Sequence, residues 1–141
     1  MCIVNVKKPL FMRKSSKVSL EEIPEFAKKI AKELKGGEVL GLVGTLGAGK
    51  TTFTKELGKL LGIKQIMPSP TYLLMNKYTA RLNKKPLDFY HLDVYRLNSP
   101  QEFLDLGITE FWQKPTTLTV IEWADKVEKV LPKEARYIFF K

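Results

Sequence analysis

The clearest chemical pattern in the chain is "GTLGAGKTT", residues 44–52, where a glycine, four residues and then Gly-Lys-Thr fit G-x-x-x-x-G-K-[ST]. Glycines there let the backbone curl so that successive N–H groups point inward at phosphate oxygens. A helix beginning at the lysine adds its partly positive N-terminus to the same cradle. Lys50 can then reach the outer phosphates of a nucleoside triphosphate, and the Thr51 hydroxyl can ligate Mg²⁺. On this reading Gly44, Thr45, Leu46, Gly47, Ala48, Gly49, Lys50, Thr51 and Thr52 together form a phosphate-binding loop.

Such a loop binds phosphate but hydrolyses nothing by itself. Hydrolysis needs an acid elsewhere to hold the cation or to orient water. Two apolar-rich segments end on a carboxylate: "LDFYHLD" delivers Asp93 and "LTVIE" delivers Glu122. Ser69 and Thr71 place hydroxyls on either side of Pro70. That geometry suits a switch that senses the terminal phosphate, and equally a plain tight turn.

The rest of the composition narrows the chemistry. The single cysteine, Cys2, excludes an internal disulfide and a thiolate metal cluster, and the single histidine, His91, excludes a multi-histidine metal site. For His91 a structural role is the simpler expectation. The chain has 24 Lys+Arg against 15 Asp+Glu, a net charge of +9. This balance favours anionic partners such as nucleotides, RNA or an acidic protein surface, and a solvated lysine-rich face accounts for it equally well. No apolar run approaches the ~20 residues that a membrane helix needs. The start of the chain lacks a signal-peptide pattern, so a cytoplasmic location is expected.

The elements that must position these groups are legible as one α/β layer pattern over 1–141. "SLEEIPEFAKKIAKEL" reads as an amphipathic helix opened by a Ser19/Glu22 capping box, with Ile23, Phe26, Ala27, Ile30, Ala31 and Leu34 on one face. "EVLGLVG" is a short buried strand leading into the loop. A second helix follows from Lys50 to Leu61, with Phe53, Leu57, Leu60 and Leu61 inward. "YLLMNKY" and "LDFYHLDVY" read as strands of a hairpin whose polar "TARLNKK" forms a mobile tip. One or two short helices follow Ser99-Pro100. "TLTVIEW" and "ARYIFF" are further strands around a short helix "ADKVEKVL", and "IVNV" is a candidate strand near the start.

With these segments in place, "GTLGAGKTTF", "SPTYLLMNKY", "FYHLDVYRL", "EFLDLGITEFW" and "VIEWADKVEKVLP" occur in the order that resembles the TsaE (YjeE) family, from about Ser19 to Pro132. The first eighteen residues are weakly matched. These are small bacterial ATPases required for threonylcarbamoyladenosine modification of tRNA. The resemblance implies a P-loop NTPase fold, a mixed central sheet flanked by helices, with ATP and Mg²⁺ as cofactors. It implies Lys50 and Thr51 on phosphate and metal, Ser69 and Thr71 in a switch-like loop, and Asp93 as the aspartate needed for hydrolysis. Glu122 then stands as the acid near the metal, and Trp123 as the tryptophan beside the nucleotide; either Asp93 or Glu122 could ligate Mg²⁺ directly, with the other orienting water. The implied partners are the TsaB and TsaD proteins, with direct or indirect contact to tRNA and none to a membrane. Thr45 departs from the family, whose members often carry an acidic residue or asparagine there.

Three other readings compete. Guanine selectivity needs N-K-x-D, which neither "NKKP" nor "NKYT" supplies, so ATP is preferred over GTP. A small-molecule kinase needs a second substrate pocket and usually clustered arginines. Here Arg13, Arg81, Arg96 and Arg136 are scattered. A nucleotide-gated binding module without meaningful turnover grades into the leading reading, a slow ATPase that gains purpose from its partners.

Overall fold

A computed structural model of the chain describes residues 15–68 and 75–141. Six strands form one sheet, and all neighbouring pairs are parallel except the last: β1 (Ser15–Val18), β6 (Arg136–Phe140), β2 (Val39–Val43), β5 (Thr117–Glu122), β4 (Lys85–Asp93) and β3 (Met75–Leu82), in that spatial order. Only β3 runs antiparallel, against β4, so the sheet is mixed as expected. The central strands β2 and β5 are buried on both faces, which is why they read as near-continuous apolar runs.

Each face of the sheet carries its own apolar layer. Helices α1 (Ile23–Glu33) and α2 (Lys50–Leu60) cover one face, where Ile23, Ile30, Phe53 and Leu57 pack on Leu40, Leu42, Phe89 and Val120. The other face is covered by α3 (Pro100–Asp105) and by 3-10 turns at Ile108–Glu110 and Ala124–Val130. Phe103, Ile108 and Val127 there meet Leu92 and Ile121. Leu40 and Leu42 therefore face one way and Val39 the other, the period-2 alternation of a strand.

Helix α1 begins as its sequence dictates. The Ser19 backbone N–H donates to Glu22 Oε1 at 2.8 Å, one half of the capping box, and Pro24 sits in the first turn where its missing N–H is harmless. Ile23, Ala27, Ile30 and Leu34 are buried, and Phe26 and Ala31 pack at the edge of the same layer. Phe53 stands between Phe26 and Phe140, with ring centroids 5.8 Å away on each side.

Two expectations need correction. Leu60 is not inward but 44% exposed, because the buried line down α2 steps by four through Phe53, Leu57 and Leu61. The polar "TARLNKK" is not a mobile tip. Strand β3 continues through Leu82 with Tyr78 and Ala80 buried, and β4 starts at Lys85. The reversal takes only Asn83 and Lys84, at φ 52° and 67°, the left-handed pair of a tight hairpin turn. The strand expected at "IVNV" and the loop residues Ser69 and Thr71 lie outside the described residues.

Candidate functional site

Parallel strands β2, β4 and β5 all end on one edge of the sheet, and the glycine-rich loop leaves β2 at that edge. The loop turns into α2 through Gly49, whose φ of 117° is a conformation that side chains rarely adopt. A Cβ there would also stand 2.5 Å from Ile23 Cδ1, so that side chain of α1 would have to shift. Ala48 N–H donates to the Thr45 carbonyl at 3.1 Å, closing the loop on itself.

The cleft at this edge has a volume of about 270 Å³. Leu46, Gly47, Gly49, Lys50, Thr51 and Thr52 line it from the loop side, and Asp93, Tyr95, Arg96, Glu122 and Trp123 from the strand side. Nine of the fourteen residues singled out from the sequence thus line one cleft. Gly44, Thr45 and Ala48 belong to the same loop behind this lining, and Leu46 projects outward at 89% exposure.

Lys50 is the first residue of α2 and is 4% exposed. Its ammonium donates to the carbonyls of Gly44 at 2.6 Å and Thr45 at 2.9 Å, and lies 4.0 Å from the centre of the Trp123 ring. Burial pushes its pKa below the usual lysine value, and the carboxylates of Glu122, Asp93 and Asp125 act against that shift. The group is a desolvated cation held against the glycine-rich loop, an arrangement suited to a phosphate oxygen.

Thr51, one residue on, donates its hydroxyl to Glu122, with Oε1 at 3.0 Å and Oε2 at 3.1 Å. Glu122 ends β5 and Asp93 ends β4, and the two are direct partners in the parallel register. Both are buried, at 3% and 7% exposure. Asp93 Oδ1 accepts the Tyr95 backbone N–H at 2.9 Å, which fixes its orientation at the turn leaving the strand. Glu122 Oε2 also lies 2.6 Å from His91 Nε2, and His91 is fully buried.

Trp123 reaches its place through a left-handed backbone, φ 63° and ψ 37°, uncommon for a bulky residue. That turn lays the indole over Lys50, and Tyr95 packs against its ring at 4.7 Å between centroids. Lys126 in turn donates to the Tyr95 carbonyl. Tyr95, Arg96 and Lys126 were not selected from the sequence as site residues, although the first two stand in the same "HLDVYR" segment as Asp93. For Lys126 the sequence carries no signal.

The donor set fits a small hard cation shared with phosphate. Among the described residues no group of three or more His, Cys, Asp or Glu side chains could by itself cage a metal ion. Thr51 and Glu122, with Asp93 beside them, offer a hydroxyl and carboxylates. Mg²⁺ is typically held so, by one or two carboxylates with the remaining positions left to substrate phosphates and water.

Fold and loop together define a P-loop NTPase-like α/β protein. The profile of the family described as "Threonylcarbamoyl adenosine biosynthesis protein TsaE" matches residues 17–141. The "tRNA threonylcarbamoyladenosine biosynthesis protein TsaE" of Bacillus subtilis (strain 168) is 42% identical over 124 residues, which cover 88% of this chain and 74% of that protein. The protein of the same description from Treponema pallidum (strain Nichols) is 38% identical over 115 residues, 82% of this chain and 81% of the relative. Among solved structures, the crystal structure of YdiB from Bacillus subtilis superposes with a TM-score of 0.64 at 38% identity, covering 86% of this chain and 71% of that one. The chain belongs to the TsaE family.

Proposed function

We propose that this chain binds ATP with Mg²⁺ in the cleft between the loop and the ends of β4 and β5, hydrolyses it slowly to ADP and phosphate, and serves the tRNA threonylcarbamoyladenosine pathway for which its relatives are named. The observation that carries this reading is the direct contact of Thr51 with Glu122 beside the desolvated Lys50. It brings a hydroxyl, a carboxylate and an ammonium together in one small cleft, a set suited to a divalent cation and phosphate.

In this mechanism the loop amides and the Lys50 ammonium hold the β- and γ-phosphates. Thr51 and Glu122 hold the cation. Mg²⁺ held there would supply positive charge that offsets the charge developing at the phosphates. Asp93, oriented by the Tyr95 N–H, is the group that positions the attacking water and accepts its proton. Trp123 and Tyr95 form an apolar wall that limits water at the phosphates. This division of the two acids is supported by the Thr51 hydroxyl donating to Glu122 and by the Tyr95 N–H holding Asp93 at the end of β4.

The partners in this proposal are the TsaB and TsaD proteins, with tRNA reached directly or through them. The surface supports an anionic partner. Two shallow grooves share Leu82 and Asn83 near the hairpin turn. One is lined by Lys28, Lys32 and Arg81, the other by Lys35 and Lys85, and neither lining includes a carboxylate.

The test is co-purification of the full chain with its own organism's TsaB–TsaD, in the presence of Mg²⁺ with ATP, with ADP and without nucleotide. Association that depends on the nucleotide supports the reading. Tight ATP binding without association in any state would leave an ATPase with another client.

A further inference from the structure

We propose that His91 is a positioning residue: its Nε2–H donates to Glu122 Oε2 and fixes the carboxylate in the orientation that presents it to Thr51 and to a divalent cation. The inference rests on the reading of Glu122 as a cation ligand.

The two side chains come from neighbouring parallel strands. His91 pairs with Val120 and Asp93 with Glu122, so His91, Asp93, Val120 and Glu122 all point toward the α2 face of the sheet. Glu122 thereby lies between Thr51 on α2 and His91 on β4, with 3.0 Å to the Thr51 hydroxyl and 2.6 Å to the imidazole. Thr51 Oγ1 is within reach of both carboxylate oxygens and so leaves rotation of the group about its own axis loosely defined. The imidazole selects Oε2 alone and removes that freedom.

The contact is short, and both partners are almost wholly shielded from water, His91 at 0% and Glu122 at 3% exposure. The other ring nitrogen, Nδ1, has no hydrogen-bond partner among the described residues. A residue serving only to fill this part of the core would be better apolar, because an orphaned buried nitrogen destabilises the fold. The ring is instead tethered at one end only, to a carboxylate of the cleft. Ligating carboxylates are commonly held by such outer hydrogen bonds, and loss of the outer partner typically weakens metal binding by about 10- to 100-fold.

Because His91 is the only histidine, its ring can be observed without ambiguity by ¹⁵N NMR on the unmodified chain. The expected result is a proton on Nε2, and signals that shift when Mg²⁺ is added with ATP. A ring protonated only on Nδ1, or signals indifferent to the cation, would overturn the proposal without any variant. The second arm compares His91→Leu, which removes the donor, with His91→Gln, which returns an N–H at similar reach. ATP binding is titrated at fixed nucleotide against rising Mg²⁺. His91→Leu should raise the Mg²⁺ concentration for half-maximal effect about 10-fold or more, and Mg²⁺-free ATP binding should stay near that of the parent. His91→Gln should recover most of the loss. A folded His91→Leu chain with unchanged Mg²⁺ dependence overturns the inference, provided that Glu122→Gln alters that dependence. If Glu122→Gln leaves it unchanged as well, the cation reading of Glu122 itself is overturned.

Discussion

Thr51 and Glu122 stand 71 residues apart in the chain and meet with the threonine hydroxyl 3.0 and 3.1 Å from the two carboxylate oxygens. One residue sits in the first turn of the helix after the loop, and the other closes the strand beside it. Their meeting joins the glycine-rich loop and its helix to the end of β5, and the proposed division of tasks between the two acids rests on it.

Lys50→Ala should weaken ATP binding itself. The lost contact is a charge-assisted hydrogen bond in a desolvated place, worth about 1.5–3 kcal/mol, or roughly 10- to 100-fold in Kd. Calorimetric titration of ATP into the parent and the variant measures it directly.

Asp93→Ala should act on the other side of the reaction. Its carboxylate accepts the Tyr95 backbone N–H at the end of β4. ATP affinity is therefore expected to stay within a few-fold, with hydrolysis falling by about 10²- to 10⁴-fold, the range for loss of a general base. Single-turnover hydrolysis beside equilibrium binding separates the two quantities.

Phe53→Ala should destabilise the fold by about 3–5 kcal/mol. The ring is fully buried against Phe26 and Phe140, where α1, α2 and β6 converge. The loss would show as a lower midpoint in urea with little change in slope.

Tyr137 sets an alkaline limit. Burial, helped by the nearby Glu128 charge, raises its pKa from 10.0 to about 12. The folded chain then keeps a proton that the unfolded chain releases above pH 10. This contribution is fully present below pH 10 and is lost as the pH rises from 10 toward 12, by about 3 kcal/mol at the limit. Lysines titrate in the same range, so the measurement is a difference: Tyr137→Phe should lose less stability across that window than the parent.

How much of this was legible in the sequence follows from the range of each interaction. The loop was fully legible, because strand, glycines, lysine and helix are consecutive and each is demanded by local backbone geometry. Asp93 and Glu122 were legible as strand-ending acids, but their division of labour was not. It depends on register between β4 and β5 and on the contact of β5 with α2, none of which is local. The contact of His91 with Glu122 was not legible for the same reason, since the two lie 31 residues apart. The end of β3 was misplaced because Tyr78, Ala80 and Leu82 alternate with polar residues, as in a strand with one buried face, while composition alone suggested a loop. Asn83 and Lys84 then make the turn without a glycine.

The central claim is that ATP hydrolysis in this cleft, beyond ATP binding, sustains the tRNA modification. The most direct measurement is reconstitution of the full pathway with purified partner proteins, counting modified tRNA and ATP consumed, with the parent chain or with Asp93→Ala at saturating ATP. The account predicts that Asp93→Ala binds ATP but fails to support repeated modification, with product stopping near one equivalent per complex. Multiple-turnover modification at the parent's rate with a chain that binds but does not hydrolyse ATP would contradict it.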